Sequence, residues 1–266
     1  MARVSGGIVI YPVYMSTRPD TPGHQEIRVD RVDAFVLSQL TGRVRSSMHV
    51  WADALQPVLE RYEITTPIRM AHFLGQIAVE SGGFRWLTEC MSYRTADALI
   101  RTWPARFTSI SQAMPYMNRP EKLANHVYGG RMGNTEAGDG WRFRGRGLIH
   151  VTGRSNYTAL QEELGALGVD ADILQDPGLL SQPHLAAISA GFWWHDNRAS
   201  TYATGVGVQA IQRVSRLVNR GDAMSPHAAH HEAQRRQRTM RAYSLLMGGE
   251  KVRAMALRDL SDGRQT

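Results

Sequence analysis

The sequence predicts a mainly α-helical protein with at most a small β-sheet. Three observations carry this: apolar residues recur at three- and four-residue steps in several segments, those segments start and stop on helix-capping residues, and a single stretch looks extended. Residues 1 to about 30 contain Gly6, Gly7, Pro12, Pro19, Pro22 and Gly23 without helical periodicity, and read as an arm. Val44, Met48, Trp51, Leu55, Val58, Leu59 and Tyr62 then mark an amphipathic helix of about five turns. Thr66 is placed to cap a second helix with Pro67 at its first position, and Ile68, Ala71, Phe73, Leu74, Ile77 and Ala78 form its apolar face. That helix should stop at Gly82 and Gly83. Further helices are expected over 95–103, 120–128 (from Pro120 to Gly129 and Gly130), 153–164, 183–197, 206–219 and 226–247. Only Trp141–Val151, punctuated by glycine, has an extended look. The expected organisation is an arm over 1–35, one domain over 36–247 and a polar tail over 248–266.

Composition narrows the function classes. With 266 residues and 42% hydrophobic side chains the chain is globular rather than disordered. The apolar run Ile8–Met15 is broken by Pro12 and falls far short of the roughly 20 residues that span a bilayer. No small-x-small cleavage site follows it, so no removable secretory signal is expected. Cys90 is the one cysteine, which forbids an internal disulfide. The 31 basic against 24 acidic residues give +7, and the excess is nearly all arginine because Lys122 and Lys251 are the only lysines. This charge admits nucleic acid, an acidic envelope or an anionic wall polymer as partners. No repeat is present, which excludes solenoids and propellers. No GxxxxGK[ST] loop exists, and Gly145-x-Gly147 lacks the third glycine of a dinucleotide site.

The chemistry-bearing residues cluster in three places. Glu80 lies on the last turn of a largely apolar helix, beside two glycines that let another chain approach. Burial there would disfavour its charged form, the condition for a general acid near neutral pH. Glu89 follows a short turn and can face Glu80 across a cleft; two carboxylates flanking a sugar are the minimum equipment for glycoside hydrolysis, although spacing alone is weak support. From Arg131 to Ile149, glycine, arginine and aromatic residues alternate, Trp141 and Arg146 among them, and can line a groove for sugar rings and acidic groups. A nucleic-acid reader would use the same ingredients. His227, His230, His231 and Glu232 read as solvated surface rather than zinc ligands, since no HExxH is present. Cys90 reads as a small buried hydrophobe and Trp193–Trp194 as core. The basic stretch containing Arg235, Arg236, Arg238 and Arg241 reads as a solvated helix face, with weak contact to anionic lipid as its functional alternative.

Taken in order, these parts resemble the family 19 glycoside hydrolases, in particular the phage-type endolysins of that family. Val79-Glu80-Ser81-Gly82-Gly83-Phe84 matches the family's H-E-S/T-G-G-F, and Glu89 through Tyr93 its E-x-x-x-Y. Ala124-Asn125-His126-Val127-Tyr128 followed by Arg131-Met132-Gly133-Asn134 looks like the endolysins' A-N-x-V-Y…R-M-G-N run. The most specific match is Gly138–Ile149 to G-D-G-W-x-[FY]-R-G-R-G-L-I, continued by Thr152, Gly153, Asn156 and Tyr157. Val218-Asn219-Arg220-Gly221 stands where the family has [IV]-N-G-G.

The resemblance covers about residues 45–245. It implies that Glu80 is the general acid and Glu89 the base activating water for inversion, with their carboxyl groups roughly 6.5–9.5 Å apart. It further implies that Thr152 helps hold the water and that Asn156 and Asn219 bind substrate. Tyr157, Trp141 and Arg146 join them as expected substrate contacts. Three residues depart from the pattern: His150 for glutamine, Val79 for histidine and Arg220 for glycine. His150 can still hydrogen-bond substrate, and Arg220 can narrow the groove or bind a substrate carboxylate. The family's later arginine has no unique match among Arg235, Arg236 and Arg238.

The expectation is therefore a lysozyme-like, two-lobed fold with a central cleft, and an endolysin cleaving β-1,4 links of peptidoglycan glycan strands. It needs no cofactor or metal, binds no nucleic acid and acts as a monomer. It is held in the host cytoplasm until released to the periplasm and cell wall. The alternatives are a chitinase of the same family and a catalytically silent wall-binding protein.

Overall fold

A computed structural model describes residues 32–248; most of the arm and nearly all of the polar tail lie outside these residues. The described chain is mainly helical. α1 (Ala34–Thr41) and α2 (His49–Arg61, entered through a 3₁₀ turn at Arg45–Met48) precede α3 (Pro67–Glu80). α4 (Ala96–Thr102), α5 (Ile110–Ala113), α6 (Pro120–Tyr128) and the single turn α7 (Asp139–Arg142) follow. α8 (Arg154–Ala166), α9 (Pro183–Asp196), α10 (Val208–Arg220) and α11 (Glu232–Met247) complete the order. The expected helices are present within a few residues of their predicted bounds, except that α11 starts six residues later than expected.

Two expectations fail. Trp141–Val151 is not a strand: it opens in α7 and forms only the isolated bridge Arg146 to Val151, with Thr88 bridging Arg146 from the other side. Its arginine and aromatic alternation reflects a loop pinned at several points rather than a two-sided strand. Residues 32–43, assigned no helix from the sequence, hold α1, capped by the Asp33 carboxylate accepting from Val36 N–H and burying Val36, Leu37 and Leu40. Eight residues give too few turns for periodicity to stand out.

Two apolar cores define two lobes. The larger gathers α1, α2, α3, α9 and α11 with Phe143, Leu148 and Tyr157; the smaller is built from Met91, Ala96, Leu99, Phe107, Ala113, Leu123, Ala124 and Val127. α3 is the axis of the larger core, buried from Met70 through Ala78. Thr66 caps it as expected, its Oγ1 accepting from Arg69 N–H at 3.3 Å. α3 packs along α11 so closely that a Cβ on Gly75 would lie 2.8 Å from the Thr239 backbone. The expectation that Trp194 is core holds: its ring meets Phe73 edge-on at 5.4 Å and its indole N–H donates to Ser200.

His72, on α3, is fully buried and its Nε2 donates to the Gly205 carbonyl at 2.8 Å, while Nδ1 has no partner. Burial holds its pKa below the ordinary histidine value, despite that hydrogen bond. The unfolded chain thus binds a proton near pH 6.5 that the folded chain refuses, so stability is complete above that pH and is lost as pH falls below it. His72→Gln, which keeps a donor for Gly205, is expected to flatten the fall of Tm between pH 7 and pH 5. An unchanged acid limb in thermal scans would refute the assignment.

Candidate active site

The chain crosses between the lobes twice, side by side. After α3 it leaves the larger core at Leu87 and enters the smaller at Met91, and it returns from Trp141 on the smaller core to Phe143 in the larger. The crossings are stitched together where Glu89 N–H donates to the Gly145 carbonyl (2.8 Å) and Gly147 N–H to the Leu87 carbonyl (2.9 Å). Glu89 sits at this junction, and Glu80 ends the helix that leads into it.

Each carboxylate is oriented by partners from a different lobe. Glu80 Oε1 accepts from Arg235 Nη2 at 2.5 Å; Arg235 is 2% exposed and the glutamate side chain 17%. The same guanidinium donates to Gln76 Oε1 (2.7 Å) and to the His230 carbonyl (2.8 Å), and Gln76 in turn donates to Ser215. Three helices, α3, α10 and α11, thereby fix one carboxylate. Of the three arginines Arg235, Arg236 and Arg238, Arg235 is the one bonded to Glu80. Glu89 Oε1 accepts from Tyr128 Oη at 2.6 Å, at the end of α6, and Oε2 from Gly145 N–H at 3.2 Å. Burial, then the charge of Glu89, raises the Tyr128 pKa, so the phenol stays a donor.

Gly145 is the point on which the predicted residues converge. A Cβ there would come within 3.1 Å of His150 Cβ, 3.2 Å of Thr152 Oγ1 and 3.3 Å of Glu89 Cβ. Glu89, His150 and Thr152 are thus neighbours. Thr152 Oγ1 donates to the His150 carbonyl, and Asn156, exposed, donates to the Thr152 carbonyl. His150 has φ +53° and its Nε2 donates to the Trp86 carbonyl at 3.1 Å. On the Glu80 side, Asn219 Oδ1 accepts from His230 N–H, and the charge of Glu80 reaches the His230 ring. His230 itself has a lowered pKa, first through burial and then through Arg220 and its neighbours.

Of the other expected substrate contacts, Tyr157 and Arg146 are buried and Arg220 is bonded within its own loop. Tyr157 is fully buried, its hydroxyl donating to the Arg144 carbonyl and accepting from Arg146, so it supports the loop from beneath. Arg146 is buried as well and is spent on the Arg142 and Arg144 carbonyls and Tyr157. Arg220 bonds the Ala228 carbonyl through Nε and Nη2 and clamps its own loop rather than presenting a free guanidinium. Trp141 remains half-exposed, with the Arg144 guanidinium 3.5 Å from its ring centre.

Cys90 is exposed, not buried as expected, because it lies in the crossing between cores. The basic stretch on α11 is a solvated face only in part. Arg235 is buried and Arg238 half-buried, donating to the Leu40 carbonyl, while Arg236 and Arg241 are exposed, Arg241 donating to the Gln39 carbonyl. Among the described residues no three histidine, cysteine, aspartate or glutamate side chains converge to hold a metal ion.

Sequence reasoning missed four contributors. Tyr128 and Gln76 looked like the end and the interior of ordinary helices, although Gln76 was a polar residue on an apolar helix, four positions before Glu80. Arg235 was one arginine among several. Trp86, with 65% of its surface exposed, lays its ring over Gly82, two residues past Glu80, and its carbonyl accepts from His150, none of which a lone exposed tryptophan signals in the sequence.

No family model matches the chain. Over 114 residues, 42% of this chain, it is 38% identical to a Haemophilus influenzae protein named glycosyl hydrolase family 19 domain-containing protein. The matched region spans 56% of that curated relative's length. A crystal structure of a chitinase C mutant aligns with 82% of this chain and 92% of its own, at 16% identity and a TM-score of 0.45.

Proposed function

We propose that this chain is a glycoside hydrolase of the family 19 type that cleaves β-1,4 links in the glycan strands of peptidoglycan, as an endolysin does. The observation that carries the reading is the pair Glu80 and Glu89, each oriented by a buried or half-buried partner, one from each lobe, at the point where the chain crosses between them. The 38% identity to a family 19 domain protein supports the same class.

In this mechanism Glu80 is the acid. Arg235 occupies Oε1, which leaves Oε2 to carry the proton to the departing glycosidic oxygen. As the bond breaks, the glutamate becomes an anion and the fixed guanidinium stabilises the charge that develops there. Glu89 takes a proton from water on the opposite face of the sugar, and Tyr128 and Gly145 N–H hold its carboxylate in place. Thr152, against Gly145, offers a hydroxyl oxygen that can accept from the same water. Attack from that face inverts the anomeric centre. Arg144, whose guanidinium has no carboxylate partner among the described residues and lies near Glu89, favours an acidic glycan over a neutral one.

Digestion of Gram-negative peptidoglycan beside chitin oligomers, with mass analysis of the products, tests this. Reducing muropeptides are the expected products; anhydro sugars would mean a lytic transglycosylase, cleavage of chitin alone a chitinase, and sedimentation with the wall without cleavage a binding protein.

A further inference from the structure

On the smaller lobe an open pocket of about 560 Å³ is lined by Arg119, Pro120, Glu121, Lys122, Asn125 and Trp141. None of these residues is used by the chemistry above, yet the pocket is coupled to it. Asn125 and Tyr128 lie on the same helix, about 4.5 Å apart along its axis, and Tyr128 holds Glu89. The pocket's far edge, Trp141, is fixed by its N–H donating to Asn125 Oδ1 (2.8 Å). Its ring is covered on one side by Arg144, whose charge also reaches Glu89. Pro120, at the outer end, is about 12 Å along the helix from Tyr128. A sugar placed over Glu89 would therefore have this pocket beside it, within reach of a substituent on the ring.

The lining specifies what kind of substituent. Lys122 lies 4.9 Å over the Tyr116 ring, and neither it nor Arg119 forms an ion pair among the described residues. With Arg144 behind Trp141, three cations face one acidic residue, Glu121. Asn125 spends its side-chain oxygen on the Trp141 backbone N–H, and among the described residues no hydrogen bond engages its amide nitrogen, a donor suited to a peptide carbonyl. Flat apolar surface, an amide donor and excess positive charge suit a short peptide bearing carboxylates. Neutral amino sugars carry no charge for the cations to meet.

We infer that the Arg119–Lys122–Trp141 pocket binds the acidic peptide attached to the wall glycan, and so selects peptide-bearing strands for cleavage at Glu80 and Glu89. This rests on the glycosidase reading only for its second half, and the two halves are tested separately. The full chain and its Arg119→Ser/Lys122→Ser double variant are titrated with a synthetic tetrapeptide carrying several carboxylates and with its amidated counterpart, following the Trp141 indole resonance. The acidic peptide is expected to bind about tenfold more tightly to wild type than to the double variant, and to lose that preference when amidated. No binding at millimolar peptide, or equal affinity for both proteins, overturns the pocket.

Turnover is then compared on intact glycan strands and on strands stripped of peptide. The double variant is expected to lose about tenfold in kcat/KM on intact strands only, since the pocket lies outside the catalytic pair. An equal loss on both substrates would overturn selection by peptide. Peptide binding by a protein that cleaves neither substrate would leave the pocket standing and remove the hydrolase.

Discussion

Glu80→Gln is expected to lower glycan cleavage by about 10²–10⁴-fold, the range that a positioned acid contributes. The argument is local. Glutamine fits where glutamate fits, and its amide oxygen still accepts from Arg235, so the bonds of that guanidinium to Gln76 and the His230 carbonyl are kept. What disappears is the proton on the second oxygen. The variant should fold, with a circular dichroism spectrum like that of wild type, bind the wall and leave no new reducing ends. Turnover near the wild-type rate would remove Glu80 from the acid role, whatever the fate of Glu89.

Arg235→Gln should instead unfold the protein more readily as well as silence it. A guanidinium 2% exposed cannot be removed without leaving its partners, Glu80, Gln76 and the His230 carbonyl, short of a donor in a place water barely reaches. Breaking one side of such a buried pair costs about 3–5 kcal/mol, which for a chain of this length lowers Tm by on the order of 10 °C. Arg235→Lys should recover only part of this, since a single ammonium cannot reproduce a planar fork bonded in three directions. Arg236→Gln, exposed one residue along, is the control and should stay within about 0.5 kcal/mol of wild type. Similar denaturation midpoints for the Arg235 and Arg236 variants would show that the network carries no stability.

How much of this could be read beforehand follows the physics of each signal. Helices with a wide apolar face, α2, α3, α6 and α9, were legible because periodicity reports on local backbone, as do the Thr66 cap of α3 and the prolines that open α3, α6 and α9. α1 was too short for periodicity. The 141–151 segment misled because its alternating arginine and aromatic residues imitate a strand pattern, whereas the chain there is a loop buried through most of Phe143–Val151 and paired only by isolated bridges. At the site, Glu80, Glu89, Thr152, His150, Asn156 and Asn219 stood out by resemblance, and the structure gathers the middle of that set around Gly145. Arg146 and Tyr157 carry the same motif yet lie beneath it, since a motif records which residues go together but not which of them water can reach. Arg235 and Tyr128 were hidden for a related reason: an arginine 155 positions from its carboxylate, or a tyrosine 39 positions from its own, leaves no trace in spacing.

The packing of α11 on α3 also orders events in time. During synthesis α3 emerges early, with the Gly75 face that receives Thr239 uncovered and Glu80 without its guanidinium, and α11 is made after every other described helix. Contacts this distant in sequence form late and slowly. The nascent protein therefore carries Glu80 and Glu89 long before it carries Arg235, the residue that holds Glu80. On the proposed reading the site is complete only once α11 has been made and has closed against α3.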